Sequence, residues 1–380
     1  MRQKANKGED FFINTADNRL PDNLTVNTLN NSNSLEFHLT LPDYDPTPLI
    51  HLKYLGRRLG VGALYVKDEA SRFGLNAFKA LGASYAINQI LKVRPRIKTI
   101  CTATDGNHGR AVAWSAKREG KESRIFVPAY TSQSQIRAIE DEGAIVTKIE
   151  GNYDETSGYA LGASQINGWE LVQDSSWEGY EEIPALIMAG YTTMFKEMES
   201  SVNSLPEPAV DIVFLQAGVG SFAASAIWYY LNRYGDKRPA IVIVEPSESD
   251  GILESFKCGK RSLPKGSFRT IMAGLNCGIP SKSAWDIISR GADAALRIDD
   301  THTLKAMKWL DNPSGNDERV EAGESGAAGL AGLMRILDDP EFESLKRHLD
   351  LSERSRVLLF NTEGCLNVRY PNSRTREEKT

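Results

Sequence analysis

The chain has 380 residues, 41% of them hydrophobic and 25% charged, with 45 basic against 50 acidic side chains and a formal net charge of −5. That is an ordinary globular composition, large enough for two lobes, and neither the charge balance nor any basic run suits a nucleic acid or an anionic membrane. Four scattered cysteines without a C-x-x-C, and five histidines without an H-E-x-x-H, provide neither a disulfide framework nor a metal site.

Residues 1 to about 35 are rich in Asn and Asp and weakly patterned, and they read as a loose arm over the surface; residues 373–380 read as a charged, frayed tail. Residues 1–10 have no apolar core, so no secretory signal is read there, and no stretch is apolar enough to span a membrane. The expected compartment is the reducing cytoplasm, with free thiols. Between the ends, β-rich runs predict strands at 64–67, 99–102, 124–127, 145–148, 170–172, 212–215, 241–244, 295–298 and 357–360. Helical patterns fall at 78–91, 108–118, 132–140, 153–165, 183–199, 221–234, 304–310 and 323–337. The alternation predicts an α/β fold of parallel sheets covered by helices, with ligands beyond the carboxyl ends of the strands.

Most of the unusual polar residues fall at those strand ends. The run RFGLNAFKALGASY, residues 72–85, leads from a turn into a helix with Lys79 in its first turn. The positive end of a helix makes an ammonium there easier to deprotonate, and a neutral amine is what a Schiff-base lysine needs. Taken alone, a solvated surface lysine is the plainer reading. The run TATDGNHGR, residues 102–110, follows a strand and opens a helix, whose free N–H groups suit a carboxylate; Asp105 and Asn107 fit turn and cap positions equally well. In VQDSSWEGY, residues 172–180, Asp174 lies just past a strand among aromatics, which would raise its pKa; it also fits an ordinary loop.

The run QAGVGS, residues 216–221, puts glycines between a strand and a helix, where a backbone can approach a phosphate. Gly218-x-Gly220-x-x-Ala223, with Glu245 at the end of the next strand, also has the spacing of a dinucleotide site. An NAD-dependent oxidoreductase built on it leaves the Lys79 and Asp105–Asn107 blocks without a role. Near the end, Glu324 reads as a first-turn acid, and Thr362, in NTEG at the last strand end, as a hydroxyl for a ring nitrogen or for the turn itself.

In their order these segments resemble the fold-type II pyridoxal-phosphate (PLP) enzymes, the tryptophan synthase β and threonine dehydratase group. More narrowly, the runs RFGLNAFKALGASYA, TATDGNHGRAVAW, VQDSSWEGY, QAGVG, TIMAGLNCG, GESGA and TEG resemble the diaminopropionate ammonia-lyase family, from about residue 42 to residue 364. Asn361 and Cys365 depart from the pattern, which has Ser and an acidic residue there, and the connection before Thr99 is short for the family. The resemblance implies a two-lobed, tryptophan synthase β-like fold, each lobe a mostly parallel sheet flanked by helices. Residues 1–95 and 179–380 would form the large PLP-binding domain and 96–178 a small inserted one. It implies pyridoxal 5′-phosphate on Lys79, Phe78 against the ring, and Asn107 on its 3′ oxygen. Gly218, Val219, Gly220 and Ser221 would hold the phosphate and Thr362 the pyridine nitrogen. Asp105 and Asp174 would be the acid–base pair. The implied activity is release of ammonia from D- and L-2,3-diaminopropionate by a homodimer without a protein-held metal; a serine or threonine dehydratase is the alternative within the same chemistry.

Overall fold

The structure, a computed structural model, describes residues 8–16, 18–104, 106–201 and 208–365. Eleven strands are found among them: β1 Phe11–Ile13, β2 Leu49–His51, β3 Ala63–Asp68, β4 Thr99–Ala103, β5 Glu122–Pro128, β6 Ile145–Ile149, β7 Glu170–Leu171, β8 Ile212–Gln216, β9 Ala240–Pro246, β10 Ala294–Ile298 and β11 Arg356–Asn361. They form a seven-stranded sheet, β1-β10-β9-β8-β11-β3-β2, and a four-stranded sheet, β6-β5-β4-β7. The small sheet is wholly parallel, and the large one is parallel except at its edges, where β1 and β2 run antiparallel.

The central strands read as unbroken apolar runs because both faces are covered. Val213, Leu215, Ile241, Ile243, Leu358 and Phe360 enter one core, and their neighbours Ile212, Phe214, Val242, Val244, Val357 and Leu359 enter the other. That is the two-residue alternation of a strand, with apolar side chains on both sides. The predicted α/β fold class and all nine predicted strands are present.

The N-terminal segment corrects an expectation. Residues 11–13 are not a loose arm but an edge strand paired with Ala294–Leu296, and Asp10 is bonded to Arg297 and Arg335. Residues 24–30 form a helix capped by Asn23, whose side chain accepts from the Val26 N–H at 3.0 Å. Strands of three residues are too short to carry a readable period. The predicted 373–380 tail lies outside the described residues. The helix predicted to open at residue 323 begins at Ala328, so Glu324 is not a first-turn acid but belongs to the loop before it.

Two helices set the position of the first motif. Lys79–Val93 crosses Glu182–Ser201 with glycine on both sides: a Cβ on Gly82 would lie 2.5 Å from the Tyr191 ring, and one on Gly190 would collide with the Leu81 carbonyl oxygen. The second obstacle is backbone of the lysine helix itself. Gly190→Ala therefore lowers the free energy of unfolding by about 1–3 kcal/mol, read from the urea midpoint, since overpacking here must separate two helices. A buried ionic group holds the turn before Lys79. Arg72 bonds Glu69 at 2.8 Å and Glu197 at 2.7 Å, and Lys67 bonds Glu197 at 2.7 Å. Burial works against the Glu197 charge, but the hydrogen bonds and charge of Arg72 override it and lower its pKa. In this turn Phe73 and Asn76 have φ of 51° and 63°, values unusual for non-glycine residues that persist where the surroundings enforce them.

Candidate active site

A cavity of about 330 Å³ lies at the carboxyl ends of strands from both sheets, the place an α/β architecture offers a ligand. Its lining includes Phe78, Lys79, Asn107, Asp174, Gly218, Val219, Gly220, Ser221 and Thr362, so the described residues singled out from the sequence converge on one site. Asp105 lies outside the described residues.

Lys79 is the first residue of its helix, and its Nζ donates to Asp174 Oδ2 at 2.6 Å. Burial favours the neutral amine, but the Asp174 carboxylate overrides it and holds the ammonium above its ordinary pKa. For Asp174, burial favours the protonated acid, and Lys79 overrides that in turn and holds the carboxyl below its usual range. Both shifts oppose the directions expected from the sequence, in which the helix end weakens the ammonium and aromatics raise the acid. A charge partner at 2.6 Å outweighs both effects. The aromatics also sit elsewhere: Trp177 and Tyr180 stack on each other at 4.3 Å, and the Tyr180 hydroxyl donates to Leu171 O at 2.7 Å.

Asp174 is held by large-sheet elements. Its carbonyl accepts from Ser221 Oγ at 2.6 Å, and the next turn is tied down where Ser176 bonds Ser281 and Ser283. Phe78 packs its ring on Tyr191 and Phe222 at 4.8 and 5.1 Å. The Asn107 side-chain amide donates to Glu363, whose other oxygen accepts from the Ser325 N–H at 3.0 Å. Burial raises the Glu363 pKa. Thr362 Oγ1 accepts from Gln216 Nε2 at 3.0 Å, which leaves the hydroxyl proton to donate. Gln216, His108 and Glu363 lie inside the motifs, but nothing local in the sequence signals their roles, because their partners lie 64–256 residues away.

The turn at residues 218–221 is built for close approach. A Cβ on Gly218 would lie 2.8 Å from Cys277 Sγ, and Gly220 has φ of 94° with Ile288 packed behind it. Among the described residues its backbone N–H groups reach no other backbone carbonyl, and they stand at the start of the helix Ser221–Tyr234. The dinucleotide reading fails at Glu245. That residue is fully buried and accepts the N–H groups of Ile252 and Leu253, both at 2.8 Å, instead of facing a ribose.

An anion-holding turn, a lysine amine, an aromatic ring, an amide and a hydroxyl with a free proton are a donor set that fits PLP. Two buried atoms of the cavity wall, Gln216 Oε1 and His108 Nδ1, have no hydrogen-bond partner among the described residues. Fold and site together define a PLP enzyme of fold type II, and the chain belongs to the pyridoxal-phosphate-dependent enzyme family, whose model matches residues 40–358.

Within that family the resemblance read from the motifs is borne out. The chain is 38% identical over 352 residues to diaminopropionate ammonia-lyase of Escherichia coli strain K12, covering 88% of each. It is 28% identical over 328 residues to the biosynthetic L-threonine dehydratase of Haemophilus influenzae, covering 84% of this chain and 58% of that one. Among solved structures, E. coli diaminopropionate ammonia-lyase in complex with an aminoacrylate-PLP azomethine reaction intermediate superposes with a TM-score of 0.87 at 36% identity, covering 95% and 94% of the two chains.

Proposed function

We propose that the chain removes ammonia from 2,3-diaminopropionate, in both D and L forms, to give pyruvate and a second ammonia with uptake of one water. The observation that carries this reading is the Lys79–Asp174 pair, 2.6 Å apart in a cavity that also holds the 218–221 turn. The 38% identity to diaminopropionate ammonia-lyase supports the substrate over the hydroxy amino acids of the more distant dehydratases.

Bound here, the cofactor holds the substrate amine and takes up the electron pair left when Cα loses its proton. In this reading Lys79 would hold the cofactor covalently through its Nζ. The N–H groups of Gly218, Val219, Gly220 and Ser221 would hold the phosphate, Phe78 would lie against the ring, and Asn107 would bond the 3′ oxygen. Thr362 would offer the ring nitrogen a neutral hydroxyl, which can hydrogen-bond it without giving it a full proton. Asp174 and Asp105 take the Cα proton, each from one face, and the β-amine departs as ammonia. Between turnovers Lys79 would again be the residue that holds the cofactor, and the unsaturated product, once released, takes up one water to give pyruvate and the second ammonia.

Residues 96–178 form the small lobe in this proposal, and 1–95 with 179–380 the large one. The four-stranded sheet, contained within Thr99–Leu171, supports the division; the Ser176 bonds to Ser281 and Ser283 favour a seam a few residues earlier, near Gln173. We place the protein in the cytoplasm as a homodimer. No helix of the described residues is long and apolar enough to cross a membrane, and twofold dimers are the commonest soluble assembly.

Pyruvate release by the PLP-loaded protein is the test, with D- and L-diaminopropionate, D- and L-serine, and L-threonine (read as 2-oxobutyrate) in parallel. Turnover of both diaminopropionates above the hydroxy amino acids is the expected result. Turnover of serine or threonine alone would make the chain a dehydratase.

A further inference from the structure

Asp174 is a buried carboxylate whose charge is balanced by the Lys79 ammonium. That balance is temporary. Lys79 must give up a proton before its nitrogen can act as a nucleophile, and a buried carboxylate left without a cation is costly. A second cation-forming group faces the same oxygen: His108 Nδ1 lies 3.9 Å from Asp174 Oδ2.

The imidazole is fixed for this part. Its Nε2 lies 2.8 Å from the Val172 carbonyl oxygen, so Nε2 carries the proton of the neutral ring and Nδ1 presents a lone pair. The residue is 5% exposed, and Nδ1 has no hydrogen-bond partner among the described residues. Among the described residues, Asp174 and Lys79 are the charged groups that act on it. Burial, the Lys79 charge and its place in the first turn of the helix Asn107–Arg118 all disfavour an imidazolium while Lys79 is cationic. Two tyrosines also stand by the pair, Tyr153, whose hydroxyl lies 3.5 Å from Asp174 Oδ1, and Tyr191, which acts on both Lys79 and Asp174; a phenol can donate a hydrogen bond but brings no positive charge.

We propose that His108 is the alternate counter-ion of Asp174. The proton that Lys79 gives up passes by way of Asp174 Oδ2 to His108 Nδ1, and the imidazolium then keeps Asp174 ionised. One N–H bond is lost at Nζ, one forms at Nδ1, and a single positive charge moves from one side of the carboxylate to the other. Nδ1 and Oδ2 need approach by only about 1 Å to make a full hydrogen bond. The part this plays in turnover rests on the Lys79 and Asp174 assignments proposed above; the charge exchange itself does not require substrate.

The test is the protonation of the His108 ring, followed against pH by ¹⁵N NMR of histidine-labelled protein without substrate. The signal is assigned among the five histidines by its loss in His108→Gln. In cofactor-free Lys79→Met, the His108 pKa rises by roughly 1–3 pH units over wild type, and adding Asp174→Asn takes most of that rise away. Wild-type protein loaded with PLP is the second arm, free of substitution, and shows a rise in the same direction. An unchanged His108 in both arms overturns the proposal: Asp174 then takes the proton itself, and the imidazole is only a brace on Val172. PLP that fails to attach at Lys79 counts instead against the proposed function, so the two failures are told apart.

Discussion

Lys79→Met lowers pyruvate formation from either diaminopropionate by on the order of 10⁴-fold or more, the scale seen when a nucleophile that is also a proton carrier is removed. Lys79 has two separate duties. The amine is the covalent anchor of the cofactor, and it is also the proton donor 2.6 Å from Asp174. Methionine has neither capacity but a similar length, and the side chain sits among Phe78, Tyr191 and Asp174, where a shorter residue would leave a hole. Lys79→Arg separates the duties, because a guanidinium keeps the charge beside Asp174 and cannot form the covalent link. Both variants therefore lose the borohydride-trappable absorbance of the wild type, while Arg retains more of the stability of the cofactor-free protein. Activity within tenfold of wild type in either variant would remove Lys79 from the centre of the site.

The long elements were legible because their patterns are long: fifteen residues from Lys79 to Val93, and twenty from Glu182 to Ser201, repeat often enough to be read. The three-residue edges Phe11–Ile13 and Leu49–His51 carry no such repeat. They exist because a sheet edge nearby offers them backbone partners. The candidate site was legible as a set of residues and not as a circuit. Local rules place Lys79 at a positive helix end, where it is, and Asp174 among the aromatics of its motif, which stack on each other instead. Neither knows that the chain brings the two residues, 95 positions apart, to 2.6 Å, which reverses the direction of both pKa shifts. Glu245 shows the same limit from the other side. Its spacing from Gly220 suits a ribose contact, yet its carboxylate turns inward to hold the N–H groups of the following helix. Asn107 and Glu363, 256 positions apart, could be paired only by the fold.

The two aspartates lead to the second large effect. Asp174→Asn and Asp105→Asn each lower kcat/KM for one enantiomer of diaminopropionate by about 10²–10⁴-fold, the usual worth of a general base, and lower it much less for the other. Asparagine keeps the shape of the acid and still offers an oxygen to Lys79 Nζ, so the fold and the lysine are conserved while the proton acceptor is lost. Part of the Asp174→Asn effect is common to both enantiomers, because Lys79 loses its charge partner and every substrate depends on Lys79. The informative quantity is therefore the ratio of kcat/KM for the D and L forms, in which the common part cancels. For Asp174→Asn that ratio moves by at least about tenfold in one direction, and for Asp105→Asn it moves in the other. A ratio unchanged in both variants sinks the two-base arrangement: a single base, with Lys79 itself the obvious candidate, would then serve both forms, and the two carboxylates would be left with electrostatic work alone.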